Sequence, residues 1–176
     1  MMLLLVNGWK IIFMMIDIYD NFLDTEEFLL FKKNIFDNKF FPWFYFDSKV
    51  MPGDGIVQFT HTFYDNYRIN SDYYKFLKPI IEKLKPSAII RIKSNMTFKH
   101  NYIHNFIFHK DIDNNLENQK TGIFYINTNN GKTIFESGEQ VDSVENRMII
   151  FPGSLMHTGT THTDTNIRCL INFNWY

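Results

Sequence analysis

From Ser87 to Tyr176 the chain is a run of short apolar segments broken by turns, and that pattern confines it to an architecture of packed sheets. The segments read "AIIRIKSN", "NFIFHKD", "TGIFYIN", "KTIFES", "RMIIF", "LMHTG" and "IRCLINFNWY". Between them stand "NTNNG", "ESGEQ", "FPG" and "THTDTN", whose Gly, Pro, Asn and Asp residues supply turn geometry. The region before Ser87 is different. "DTEEFLLFKKNIFD" opens with an Asp24 or Thr25 cap and acidic residues in its first turn, which predicts a helix over 25–36. "SDYYKFLKPIIEKL" has a Ser71 cap and helical spacing, with Pro79 placed to kink it. "FPWFYF" reads as extended after Pro42, and "GIVQFTHTFY" sets Val57, Phe59, His61 and Phe63 on one face of a strand. Two helices followed by many short strands predict a mostly β fold with N-terminal helices packed on a sandwich or jelly roll. An aromatic content of 18% suits such a strand-rich interior.

At 176 residues the chain is expected to form a single domain over 15–176. The opening "MMLLLVNGWKIIFMM" is apolar but interrupted by Asn7, Gly8 and Lys10, and it is too short for a membrane span. It lacks the basic start and small-residue cleavage site of a signal peptide. Residues 1–14 are therefore either an added edge strand or helix, or an extension upstream of a natural start near Met14 or Met15. A net charge of -1 argues against nucleic acid or an anionic membrane as partner. The single cysteine, Cys169, excludes an internal disulfide framework and fits a cytoplasmic setting.

The polar residues of "FIFHKDID" raise the question of chemistry. Along a strand, Ile107, His109, Asp111 and Asp113 share one side, and Phe106, Phe108, Lys110 and Ile112 the other. An imidazole and a carboxylate two positions apart can grip one ion from one side. A distant strand must add the third ligand, and His157 qualifies. After the Pro152–Gly153 turn it shares a face with Leu155 and Gly159. Two histidines and one carboxylate form a facial triad that leaves coordination positions open, as non-haem Fe(II) oxygenases require. Asp113 shares the face and competes as the carboxylate, although its position suits the start of the next loop. On the last strand Arg168 faces with Leu170 and Asn172, opposite Cys169, Ile171 and Phe173. A guanidinium fixed beside a metal site can hold a carboxylate through two parallel hydrogen bonds. The remaining histidines read more plainly. His61 is a satisfied buried histidine, and His100, His104 and His162 are solvated near turns, with His104 able to flank the mouth of a site. Cys169 is a small buried hydrophobe.

The order H-x-D, a distal His after an "FP" turn, then an Arg on the last strand resembles the Fe(II)/2-oxoglutarate-dependent dioxygenases. Within them it is most similar to the prolyl hydroxylase-like group. "TGIFYINTNNGKTIFESG" and "RMIIFPGSLMHTG" resemble that group's segments after the metal strand and around the distal histidine. The resemblance spans roughly 20–176. It implies a double-stranded β-helix, with Fe(II) held by His109, Asp111 and His157. It implies that Arg168 pairs with the C5 carboxylate of 2-oxoglutarate, that Tyr125 hydrogen-bonds this cosubstrate, and that Asn172 lies near the same carboxylate. The implied reaction consumes O2, releases succinate and CO2, and hydroxylates a peptidyl proline, an amino acid or another small molecule. Two positions depart from the group. Thr97 stands where an aromatic residue is usual, which weakens the case for prolyl specificity, and "NNGK" replaces a double glycine. Two rival readings are a jelly-roll binding or structural protein without turnover, and a cupin-type metal enzyme without cosubstrate. The second leaves Arg168 without a purpose.

Overall fold

The computed structural model describes residues 3–6, 9–12, 16–112 and 118–176. Asp113 lies outside the described residues, as do 1–2, 7–8 and 13–15 of the first segment. In that segment β1 (Leu3–Val6) and β2 (Trp9–Ile12) pair antiparallel, with Leu3 opposite Ile12 and Val6 opposite Trp9.

The remaining strands are β3 (Asp17–Tyr19), β4 (Phe44–Phe46), β5 (Gln58–Asp65), β6 (Arg68–Ile69), β7 (Ile89–Phe98), β8 (Lys120–Tyr125), β9 (Asn129–Phe135), β10 (Gln140–Ser143), β11 (Arg147–Pro152), β12 (His157–Gly159) and β13 (Ile167–Trp175). The major sheet runs β3-β11-β8-β13-β7-β5-β4, with β6 added to β5, and the minor sheet runs β10-β9-β12. Every pairing is antiparallel. Antiparallel pairs align side chains across the sheet, so parity alone assigns the two faces. Cys169, Ile171, Phe173 and Trp175 of β13 join Ile92, Phe124 and Met148 on the face covered by helices. Arg168, Leu170 and Asn172 look the other way, toward the minor sheet, where Leu170 joins Ile123, Tyr125, Phe135, Ile149 and Phe151 in a second core.

Helix α1 (Thr25–Ile35) has acidic Glu26 and Glu27 at its positive end and Lys32 and Lys33 at its negative end, as the helix dipole favours. It buries Phe28, Phe31 and Ile35, and the rings of Phe28 and Phe31 meet Phe124 of β8 edge-on at 6.1 and 5.5 Å. Asn146, at φ 59°, pins the entry to this helix. Its Oδ1 accepts from the Leu23 amide at 3.0 Å and its Nδ2 donates to the Leu23 carbonyl at 2.9 Å. Asn146→Ala removes both buried hydrogen bonds and places a less tolerant residue in the left-handed region. It is expected to cost about 2 kcal/mol, read as a lower urea midpoint at unchanged slope.

Three local readings change. The segment around Ser71 to Leu84 is a 3-10 helix, Asp72–Leu77, followed by α2 (Lys78–Leu84). Pro79 sits in the first turn of α2, where its missing N–H costs no hydrogen bond, so it starts a helix and does not kink one. The segment "FIFHKDID" meets β12 only at the isolated bridges Asn105–Thr160 and His109–His157. Between the two bridges the register slips by one residue, so no continuous ladder forms, and beyond them Arg91 takes the Asp111 carbonyl at 2.8 Å. His162 is fully buried and not solvated. His61 is a satisfied core histidine. It is bonded to the Pro42 carbonyl at 2.7 Å and to the Ser71 hydroxyl at 2.8 Å, and burial lowers its pKa. No helix among the described residues is long and apolar enough to cross a membrane.

Candidate metal centre

His109 and His157 come together because their backbones exchange both hydrogen bonds, at 2.9 and 3.0 Å. Their rings lie 4.9 Å apart, centre to centre. Each ring then uses Nδ1 in the same way. His109 Nδ1 donates to the Ile107 carbonyl at 3.0 Å, and His157 Nδ1 donates to the Leu155 carbonyl at 3.3 Å. A carbonyl can only accept, so each proton sits on Nδ1 and each Nε2 keeps its lone pair. That is how second-shell carbonyls orient a metal-binding imidazole. Asp111 completes the group, with one donor atom from each residue lying within 4.8 Å of the other two.

The Asp111 side chain is 4% exposed. Asn172 Nδ2 donates to both of its oxygens at 2.9 and 3.0 Å, and Asn174 Nδ2 adds a third bond at 3.2 Å. Burial by itself raises the carboxyl pKa, but His157, Arg91, His109 and the Asn174 bond together hold it below its ordinary value. Burial, and then the neighbouring His157, lower the His109 pKa and favour the neutral ligand form. Asn172→Ala removes two of the bonds that aim Asp111 and leaves the Asn174 bond. Metal affinity is therefore expected to fall about tenfold, the low end for an outer-shell partner, measurable by Mn(II) calorimetry.

Arg168 faces the same cleft, 2% exposed. Its Nε donates to the Ser143 hydroxyl at 3.0 Å and its Nη2 to the Lys132 carbonyl at 3.3 Å. Its guanidinium carbon lies 5.9 Å from the centre of the Tyr125 ring. Among the described residues no carboxylate pairs with it, and burial lowers its pKa. Gly131 makes room for the side chain, since a Cβ there would stand 2.9 Å from Arg168 Cδ. In "NNGK" the glycine is thus the residue that packs against the arginine. Thr97 is the cross-strand partner of Arg168.

Tyr125 is fully buried, and its hydroxyl donates to Thr133 Oγ1 at 2.7 Å. Thr133 lines the cleft in its place. Asn172 lies at Asp111, four residues along β13 from Arg168. Sequence reading passed over Lys49 and Lys93, which also line this cleft. Burial, then Arg168 and Lys93, push Lys49 down to about 7.

No protein-family model matches the chain, and no curated protein matches it by sequence. Solved structures do match. A Burkholderia pseudomallei oxidoreductase of the 2OG-Fe(II) oxygenase family aligns at TM-score 0.69 and 12% identity, over 91% of this chain and 84% of that one. A Trichoplax adhaerens prolyl hydroxylase, solved with a hypoxia inducible factor peptide, aligns at 0.61 and 13%, over 91% and 83%. The fold is that of the 2OG-Fe(II) oxygenases. The alpha ketoglutarate dependent epimerase of nogalamycin biosynthesis shares it at TM-score 0.63 and 12% identity, over 91% and 75%. Chains of this fold thus include a prolyl hydroxylase and an epimerase. The jelly-roll architecture expected from the short strands agrees with it.

Proposed function

We propose that the protein is an Fe(II)- and 2-oxoglutarate-dependent dioxygenase that hydroxylates its substrate and releases succinate and CO2. One observation carries this reading. Two imidazole Nε2 atoms and a carboxylate converge at one end of a cleft whose other end holds a buried arginine without a carboxylate partner among the described residues. A purely structural protein has no use for that pairing, because an uncompensated buried charge is costly. A metal enzyme without cosubstrate explains the triad but leaves Arg168 unused.

The donor set fits Fe(II): two neutral imidazoles and one carboxylate, with room left for other ligands. When bound, the metal and its cosubstrate supply the oxidation of a C–H bond by O2. The chain's own residues position and exclude. His109, Asp111 and His157 would hold the ion, and Asn172 and Asn174 aim the carboxylate at it. Arg168 would receive the C5 carboxylate of 2-oxoglutarate through its free N–H groups, steadied by Ser143. Tyr125 supports this end through Thr133, which lines the cleft. Ile123 and Leu170 form an apolar floor between the two ends. Succinate release from 2-oxoglutarate, dependent on added Fe(II), tests the reading, and its absence across substrates together with no calorimetric binding of either ligand would overturn it.

We also read 15–176 as the working domain and place it in the cytoplasm, supported by the single free cysteine. Deleting residues 1–14 is expected to leave Fe(II) and 2-oxoglutarate binding unchanged, since no proposed ligand lies there. Circular dichroism of the truncated chain checks the fold, and its loss would make the segment a structural element.

A further inference from the structure

The proposed reaction leaves two cleft lysines without a task. Lys93 is opposite Asn172 across the β7–β13 pair, whereas the partner of Arg168 is Thr97. The two cations are therefore four residues apart along the sheet, about 13 Å at strand rise. Lys93 lies in the row of the residue that holds Asp111, so a group bound to it sits beside the metal ligands and away from the arginine. Lys49 comes from the loop before β5. Asp54 fixes that loop by accepting from the amides of Lys49, Val50, Met51 and Ile56. Gln58 Nε2 ties down the carbonyls of Ser48 and Lys49. The Lys49 ammonium is 4.5 Å from the centre of the Phe106 ring. Among the described residues no carboxylate lies within 4.0 Å of either lysine's ammonium.

The charges do not balance. A divalent ion and a dianionic cosubstrate cancel each other, which leaves Lys93, Arg91 and Arg168, with Lys49 only partly charged, around Asp111, the one carboxylate lining the cleft among the described residues. Arg91 is occupied at Asp111, through its carbonyl at 2.8 Å and its Oδ1 at 3.9 Å. Cations drawn part-way out of water without a counter-charge are costly, and an anion entering with the substrate removes the cost. Resting on the oxygenase reading above, we propose that the substrate is a small anionic molecule whose carboxylate or phosphate is received by Lys93. The Arg168 end is kept for the cosubstrate.

Mn(II), which is redox-silent, stands in for iron in the test. Calorimetry first measures Mn(II) and then 2-oxoglutarate on the full chain, and failure of either to bind overturns the oxygenase reading itself. With both saturating, thermal shift is recorded against short carboxylic acids with their amides, and against phosphate esters with the parent alcohols. The expected result is stabilisation by acids or by phosphate esters and not by their neutral partners, and whichever set responds names the anion. Lys93→Met should weaken the best such ligand at least about tenfold, Lys93→Arg should restore much of it, and 2-oxoglutarate affinity should not change in either. Three results would each overturn the proposal: neutral partners binding as well as the anions, no stabilisation by any anion, or loss of 2-oxoglutarate affinity in Lys93→Met.

Discussion

Asp111→Ala is expected to abolish Fe(II)-dependent turnover while the protein stays folded. The carboxylate is the one anionic donor in the group, and its two oxygens are held by Asn172 and Asn174. Loss of an outer-shell partner costs about 10–100-fold in metal affinity or activity, and loss of the ligand itself must exceed that. Folding should survive because the contact that locks the segment is made by the backbone. Arg91 bonds the Asp111 carbonyl, which alanine retains. His109 and His157 also keep both backbone bonds between them. The substitution leaves Arg91 without its carboxylate, so a modest drop in melting temperature is expected alongside the functional loss. Near-ultraviolet circular dichroism reports the fold, and Mn(II) calorimetry reports the metal. Wild-type turnover by a folded Asp111→Ala protein would remove Asp111 from the metal set, and Asp113 would be the carboxylate to substitute next.

How far these residues can be read from the sequence depends on side-chain parity. Parity along "IRCLINFNWY" separates Arg168, Leu170 and Asn172 from Cys169, Ile171 and Phe173, and the sheet keeps that division. The same argument applied to "AIIRIKSN" sets Arg91, Lys93 and Asn95 opposite Ile92, which would have drawn attention to the cationic wall. What parity cannot supply is register. Whether Asn172 serves the cosubstrate or Asp111 depends on where the irregular segment carrying Asp111 crosses β13, and no local pattern encodes that crossing. Neither does any pattern bring Lys49 over the cleft, because its loop is positioned by the carboxylate of Asp54 capping several amides. The strand β10 escaped notice for another reason. It is four residues long with two of them exposed, so it presents no apolar run to read.

Arg168→Ala is expected to weaken 2-oxoglutarate binding by at least tenfold while leaving Mn(II) affinity nearly unchanged. The guanidinium is buried, and its Nη1 makes no hydrogen bond within the chain among the described residues, so a bound carboxylate would meet available donors in a partly dry site. Truncating one partner of such a pair costs about 2–5 kcal/mol, and each 1.4 kcal/mol is a factor of ten. Arg168→Lys should recover only part of the loss, because an ammonium cannot reproduce the planar fork. Gly131→Ala offers an independent route to the same effect. Its methyl group would meet Arg168 Cδ at 2.9 Å and Nε at 3.0 Å, so the guanidinium must shift although its charge is intact. Reduced 2-oxoglutarate affinity in both variants, with metal binding retained, would tie the cosubstrate to this end of the cleft by position as well as by charge. Calorimetry decides between the outcomes: unchanged affinity in Arg168→Ala would detach the arginine from the cosubstrate and leave the metal triad as the only support for an oxygenase.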